Sequence, residues 1–487
     1  MILEALIITV IAWFGLTLAF AIGLRGWGVL PIGFILGVCA VVLVGSLQLF
    51  TGVPTTPLLS LVLLSLGVLI YWLLFFYHRR SKLTRTVVVR WFGVSVGVFV
   101  FILIFSYLVT PMITVRHVDV VEYLSIGSLL QSGDIYEHVS MYQFQKRMLL
   151  VPFMHAPANL IGNLYLPAIT PLVALSGVGL MVWLWVKGLR GRIKNKHALI
   201  ALIVIGVALL VTNSRFIMHA TYMNGHLASG ILLMLIVGMI WLYVSGDRKR
   251  RVEKDGYITV ALIALSVLVF ARPEGFMMAL LAIVPAIAGR GVATGHKALL
   301  LSVLGVAMIA WHGLLAGMYV IGGGGLSSIS SSVYIPILLG STLIIFALML
   351  RRKIVGRYIN KLPVVAEAGL WVLLGGLFVM NPHILLASVG ATTVNVSIMS
   401  AWGVSWIILT GLVAYSLIFR KFKDSTYLRF SITTFVPLVL LLAYARDSPY
   451  RVAQADSLDR MWMQVIPVAI LYIITAFVLG AAKGRSR

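Results

Sequence analysis

The sequence predicts an all-α polytopic membrane protein, and three observations carry that expectation. Of the 487 residues, 61% are hydrophobic and only 11% charged, with a mean hydropathy of +1.05; this is more apolar material than a soluble domain needs to fill its core. The apolar residues fall in runs long enough to cross a bilayer, roughly 17–25 residues each. The formal charge of +24 comes from Lys and Arg in short clusters between those runs, a pattern that sets topology rather than one that tracks a polyanion. No nucleic-acid partner is expected.

Taken in order, the first run, 2–23, lacks the basic n-region and small-residue cleavage site of a signal peptide and reads as a retained span. Runs near 28–50 and 57–77 follow, closed by His78-Arg79-Arg80-Ser81-Lys82. The run 91–113 leads into a wet stretch from Arg116 to Tyr136. Residues Met148 to Leu164 are apolar but interrupted by Pro152, His155 and Pro157, which suits an interfacial or re-entrant segment. Further spans are expected near 165–187, 197–213, 226–245, 257–271, 274–289, 297–321, 333–350, 364–381, 401–419, 430–446 and 463–482, about fifteen in all.

Counted this way, the basic connections at His78–Lys82, Lys187–Lys196, Arg248–Arg251, Arg351–Lys353, Arg420–Lys423 and Lys483–Arg487 all fall on one side. The positive-inside rule makes that side cytoplasmic. The other side receives the Asp119 loop, Asn213–His226, Arg272-Pro273-Glu274, Gly322–Ser332, Asn381–Ser400 and Asp447–Arg460. The single cysteine, Cys39, sits in an apolar run, so no intrachain disulfide is possible. No separate soluble domain and no internal repeat are visible.

Four of the 14 acids, Asp119, Glu122, Asp134 and Glu137, gather within about twenty residues at a membrane exit. If Asp119 opens a helix, Glu122 and Tyr123 share its face, with Ile126 and Leu130 below and Gly133 as a stop. Arg116 and His117 bring positive charge beside the acids. Any extracytoplasmic loop is polar; the scarcity of acids elsewhere is what makes this one a candidate active site. Arg272 and Glu274 interrupt an apolar stretch from Ile258 to Ile287, as a paired turn or as ligand-binding groups. Arg460 reads as an interfacial anchor or a further cation. Lys146 and Arg147 lie on the side that the positive-inside rule depletes, as surface anchors or as an anion site.

His117, His155, His219 and His226 are assigned to the same face, but without HxxxH, HExxH or an acid-rich ligand cluster no metal is expected. A P-loop, a GxSxG elbow and a GxGxxG turn are all absent, which leaves nucleotide and serine-hydrolase chemistry without support. Asn395-Val396-Ser397 fits a glycosylation sequon.

The long span leading to Val118-Asp119-Val120-Val121-Glu122-Tyr123, and on to Leu129-Leu130-Gln131-Ser132-Gly133-Asp134-Ile135-Tyr136, resembles the first luminal loop of GT-C integral membrane glycosyltransferases. That group includes the lipid A aminoarabinose transferase and the protein O-mannosyltransferases. Ala271-Arg272-Pro273-Glu274-Gly275 and the stretch from Asp459-Arg460-Met461 to Pro467 are similar to segments of bacterial and archaeal members. On this resemblance, residues 1–90 are extra N-terminal transmembrane helices and 91–487 a GT-C-like catalytic region with interfacial helices in its first loop. The chain departs from the family in placing that loop after three extra spans and in having no C-terminal soluble domain.

The resemblance implies a sugar donor carried on a polyprenyl phosphate and transfer at the extracytoplasmic face of the cell membrane to a lipid, glycan or protein acceptor, with no cofactor. It makes Asp119 the general base, and Lys146 or Arg147 falls where related enzymes place a cation on the donor phosphate. The chemistry agrees, since displacement at an anomeric carbon needs a carboxylate to take the acceptor's proton and cations to stabilise the departing phosphate. Arg272 and Arg460 are further cations for that role, and Glu122, Tyr123, Glu274 and His226 are expected to line the substrate. The rival readings are a transporter or flippase, which internal repeats would favour, and a polymerase or ligase of lipid-linked glycans.

Overall fold

The computed structural model describes the chain except residues 54–55, 79–84, 114–117, 133–140, 190–191, 194–195, 247–250, 322–329, 353–358, 398–401, 421, 423, 454–456 and 485–487. The described residues are helical, with no strand. In chain order the helices are α1 (Ile2–Ala21), α2 (Val29–Thr51), α3 (Pro57–His78), α4 (Arg85–Val109), α5 (Val118–Ser132), α6 (Met141–Arg147), α7 (Leu150–His155), α8 (Ile169–Leu189), α9 (Lys196–Val211), α10 (Ser214–Thr221) and α11 (Gly225–Ser245). They continue as α12 (Arg251–Val269), α13 (Gly275–Ala288), α14 (Thr294–Ile321), α15 (Ser331–Arg351), α16 (Leu362–Met380), α17 (Pro382–Ser397), α18 (Gly403–Phe419), α19 (Thr426–Ala445), α20 (Ser457–Met461) and α21 (Ile466–Gly484).

Among the described residues, ten helices are long and apolar enough to cross a membrane, or up to twelve when two bent pairs each count as one span. Three of the fifteen expected runs account for the difference. The run at 257–271 lies in α12, whose first turns carry Arg251, Glu253, Lys254 and Asp255. The runs at 274–289 and 401–419 form helices of only 14 and 17 residues. The runs at 197–213 and 463–482 belong to the bent pairs, which break by 66° between α9 and α10 and by 44° at Gln464–Ile466. Asn381–Ser400, expected as a connection, contains helix α17.

Small residues let the helices close on one another where an apolar solvent offers no hydrophobic drive. A Cβ on Gly15 of α1 would stand 1.8 Å from the Gly33 carbonyl oxygen of α2, and one on Gly305 of α14 would stand 2.6 Å from the Gly340 carbonyl oxygen of α15. One continuous apolar core runs from Ala5 in α1 to Val478 in α21. At its centre α11 is buried from Gly225 to Tyr243 and packs against α8, α12 and α21. Elsewhere apolar side chains face outward, as at Leu66, Ile70 and Leu73 of α3 and Val372 and Val379 of α16. Such a surface suits hydrocarbon rather than water, and the architecture is that of a multi-pass membrane protein.

The Met148–Leu164 segment forms α7 and the 3-10 turn Ala156–Ile161, buried from Leu150 to Ala158. His155 serves this packing: its Nδ1 accepts from the Leu166 amide at 3.3 Å and its Nε2 lies 3.3 Å from the Thr170 hydroxyl. Asn395 of the sequon is buried at 3% exposure, with its amide donating to the Arg451 carbonyl at 2.8 Å and accepting from the Ala453 amide at 3.1 Å. That engagement leaves no room for a glycan and ties the end of α17 to the connection that follows α19.

Candidate functional site

The site gathers at the end of the bundle where α11 begins. Helix α5 opens with Asp119 in its first turn, and Glu122 and Tyr123 follow at the i+3 and i+4 spacing that puts all three on one face. The other face anchors the helix: Val120 and Leu124 pack with Tyr222 and Met223, while Ile126 and Leu130 enter the main core. A Cβ on Gly127 would come within 3.0 Å of the Pro152 carbonyl oxygen, so α5 lies close against α7.

Arg147 ends α6, and Met148 turns the chain in the left-handed region at φ 57°. Both following amides, Leu149 and Leu150, then donate to the Phe270 carbonyl at 2.9 and 3.3 Å. This joint fixes Arg147 beside the Arg272-Pro273-Glu274 turn between α12 and α13. Arg460 comes from the short helix α20 and Gln464 from the 3-10 turn after it. Asn224 accepts from the His226 amide at 3.0 Å and starts α11, the preferred chemistry for an N-cap.

These connections interlock through charge. Asp119 Oδ1 accepts from Arg147 Nη2 at 2.6 Å, and Oδ2 accepts from Arg460 Nη1 at 2.6 Å. Arg147 also donates to the Glu122 carboxylate through Nε, and its guanidinium lies 5.2 Å from the Tyr123 ring centroid. At the hydroxyl end of the same side chain, Arg272 donates through Nη1 to the Tyr123 hydroxyl at 3.0 Å and through Nε to Glu274 Oε1 at 3.1 Å. Gln464 Nε2 donates to Glu274 Oε1 at 2.6 Å and stands 3.3 Å from His226 Nδ1. Beneath the network the rings of His226 and His219 meet edge to face, 5.8 Å apart. His219 Nδ1 faces the Asn224 amide at 3.0 Å.

A second, buried ion pair is built on Asp459, the residue before Arg460. Arg215 of α10 donates to Asp459, and the Trp402 indole N–H donates to the other oxygen of the same carboxylate. The side chains of Arg215 and Asp459 are 5% and 1% exposed, so this pair is shielded from water on all sides.

Burial alone would push the Asp119 carboxyl up, but the hydrogen bond and charge of Arg460, joined by those of Arg147, outweigh it and hold the group down at about 2. Glu274 follows the same logic: burial raises it, and Arg272 and Gln464 pull it below the ordinary carboxylate range. Both acids are therefore ionised at neutral pH. Among the described residues, the three carboxylates Asp119, Glu122 and Glu274 meet the three guanidinium groups of Arg147, Arg272 and Arg460. Three buried polar atoms at its edge, Arg460 Nε, His219 Nε2 and Gln464 Oε1, have no hydrogen-bond partner among the described residues. Open valences of this kind at a site are where a ligand is expected to bond.

The structure thus brings together Asp119, Glu122, Tyr123, Arg147, Arg272, Glu274, Arg460 and His226. Lys146 is exposed, whereas its neighbour Arg147 is buried. Arg116, His117, Asp134 and Glu137 lie outside the described residues. Sequence reasoning missed Gln464, Tyr222 and the Arg215–Asp459–Trp402 trio. Arg215 carried the same signal as Arg147, a cation on the depleted side, and Gln464 stands one helical turn after Arg460. No group of three or more His, Cys, Asp or Glu arranged to hold a metal ion occurs among the described residues.

An apolar cavity of about 420 Å³ lies between α2, α12 and α14, lined by Leu43, Phe50, Phe270 and Val306 among others. Its Phe270 wall is two residues from Arg272, and the carbonyl of Phe270 carries the joint after Arg147. Chemically the ensemble offers ionised carboxylates, guanidinium groups able to grip an anion, and an apolar space close by. Comparison with known proteins returns no match, whether to family models, to curated proteins or to solved structures.

Proposed function

We propose that this chain is a GT-C-type glycosyltransferase that moves a sugar from a polyprenyl-phosphate donor to a lipid, glycan or protein acceptor at the extracytoplasmic face of the cell membrane. The observation that carries the reading is the convergence of Asp119, Arg147, Arg272 and Arg460, from four separate connections, at one end of an apolar bundle. Cations at such a position are costly unless they bind or pair. A lipid-borne donor accounts for the neighbouring apolar cavity as well.

In the proposed step the acceptor oxygen bonds to the anomeric carbon as the bond from that carbon to the donor phosphate oxygen breaks. The acceptor's proton passes to Asp119, and the electron pair of the broken bond stays on the phosphate. Negative charge therefore leaves the carboxylate as it grows on the phosphate. Arg147 and Arg460, which already touch Asp119, are positioned to follow that charge, the kind of preorganised stabilisation that lowers a barrier most. Tyr123 and Glu274 hold Arg272 in place, while Gln464, beside His226, holds Glu274.

The test is transfer by the full chain in lipid nanodiscs from a polyprenyl-phosphate sugar. Asp119→Asn keeps the shape and removes the basicity, so transfer falls by about 10²–10⁴-fold with general-base assistance lost. If Asp119→Asn works at the wild-type rate while Glu122→Gln is dead, the base is Glu122. If wild-type protein transfers nothing from any polyprenyl-phosphate sugar, the reading fails.

A further inference from the structure

We infer that Asp119 and Glu122 are internal stand-ins for a phosphate on Arg147 and Arg460, and that a lipid phosphate binds by displacing them from those arginines. The inference rests on the reading of those arginines as phosphate ligands and adds what the ligand must displace.

The geometry of Arg147 is the ground for it. A guanidinium grips a phosphate best through two parallel N–H groups on one edge. In this site Glu122 Oε2 sits against both Nε and Nη2 of Arg147, and Nη2 also reaches Asp119 Oδ1 at 2.6 Å, so one guanidinium edge is shared by two carboxylates. The second oxygen of Asp119 takes Nη1 of Arg460 at 2.6 Å. The two carboxylates together thus imitate an oxyanion bridging two arginines. Charge gives the physical reason: one buried and two part-buried guanidinium groups without counter-charge would repel one another, and internal acids relieve that until a ligand brings its own charge.

Displacement has a consequence for the reaction. While clamped by two arginines, Asp119 is a poor proton acceptor, and a base is effective when its affinity for protons approaches the working pH. Once the phosphate has drawn the arginines to itself, the carboxylate is released and its basicity rises. Donor binding therefore switches on the base, and an acceptor bound first finds it inactive. Glu122, which shares Arg147 but not Arg460, acts in this scheme as a competitor for the phosphate and not as the base.

The experiment measures equilibrium binding of polyprenyl phosphate without sugar to the full chain in nanodiscs of zwitterionic lipid. Removing an internal competitor tightens binding, so Glu122→Gln is expected to bind the lipid phosphate about ten- to a hundred-fold more tightly than wild type, the worth of one charge-assisted hydrogen bond. Arg147→Gln is expected to lose the same binding. Asp119→Asn, predicted to gain affinity while losing transfer, is the second variant should Glu122→Gln misfold. Inorganic phosphate run in parallel separates the sources: a gain with both ligands identifies the phosphate group as the competitor, and a gain with the lipid alone identifies a headgroup held in place by its chain. Equal or weaker binding by folded Glu122→Gln or Asp119→Asn overturns the inference. Tighter binding without any sugar transfer keeps it and removes the glycosyltransferase reading; transfer with unchanged affinity does the reverse.

Discussion

Asp459→Asn isolates the buried trio of Arg215, Asp459 and Trp402. The substitution keeps the size of the side chain and an oxygen for the Trp402 N–H, but it strips the counter-charge from Arg215. Side-chain exposures of 1% for Asp459 and 5% for Arg215 leave no water to replace it, and the charge of Arg460 also acts on Arg215. Stranding one partner of such a pair costs about 3–5 kcal/mol. About 1 kcal/mol of that is the weakening of the Trp402 bond from charge-assisted to neutral. Adding Arg215→Met removes the stranded charge, so the double variant should regain all but about 1 kcal/mol of the loss, a coupling far outside simple additivity. The assay is denaturant unfolding of the four proteins of the cycle in one lipid environment. Asp459→Asn within about 1 kcal/mol of wild type, or a double variant as unstable as the sum of the singles, would refute the assignment of a buried, charge-dependent pair of Arg215 and Asp459.

Three further outcomes are expected. Arg272→Lys should retain only part of the donor affinity, because one ammonium cannot span the Tyr123 hydroxyl and Glu274 as the planar fork does; binding of donor by the purified variant measures it. Asp119 has a folded-state pKa of about 2, below its unfolded value, so its contribution to stability is present above the ordinary carboxylate range and is lost as pH falls toward about 2. Acid unfolding of wild type should therefore be steeper than that of Asp119→Asn by about 2 kcal/mol between about pH 5 and about pH 2. Cysteines placed at Ser132 and Ser448 should react with an impermeant thiol reagent in intact cells and those at Ser81 and Ser425 should not, with native Cys39 silent because it is buried. Reaction at Ser132 only after permeabilisation would reverse the assigned orientation.

The membrane class, the ends of most helices and the helical face shared by Asp119, Glu122 and Tyr123 were legible in the sequence because each is a local property. Hydropathy over about twenty residues marks a span, and i, i+3, i+4 spacing marks a face. Where local reading failed, it failed at breaks. The bend between α9 and α10 and the short reach of α13 and α18 come at such breaks, and among the described residues ten helices, or up to twelve with the bent pairs, are long and apolar enough to span where fifteen runs were expected. Asn395 likewise fits a sequon by spelling, yet its surroundings bury it.

By itself the sequence determined that the chain is an apolar helical bundle and that acids and stray cations collect in a few connections, since composition and charge are carried residue by residue. Only the tertiary structure decided the pairings. Asp119 meets Arg460 across 341 positions and Tyr123 meets Arg272 across 149, separations at which no periodicity links two residues. It also decided that Arg147 is buried while Lys146 is exposed, because one step along a short helix turns a side chain by about 100°. The turn at Met148, tied to the Phe270 carbonyl, fixes which of the two cations faces the carboxylates.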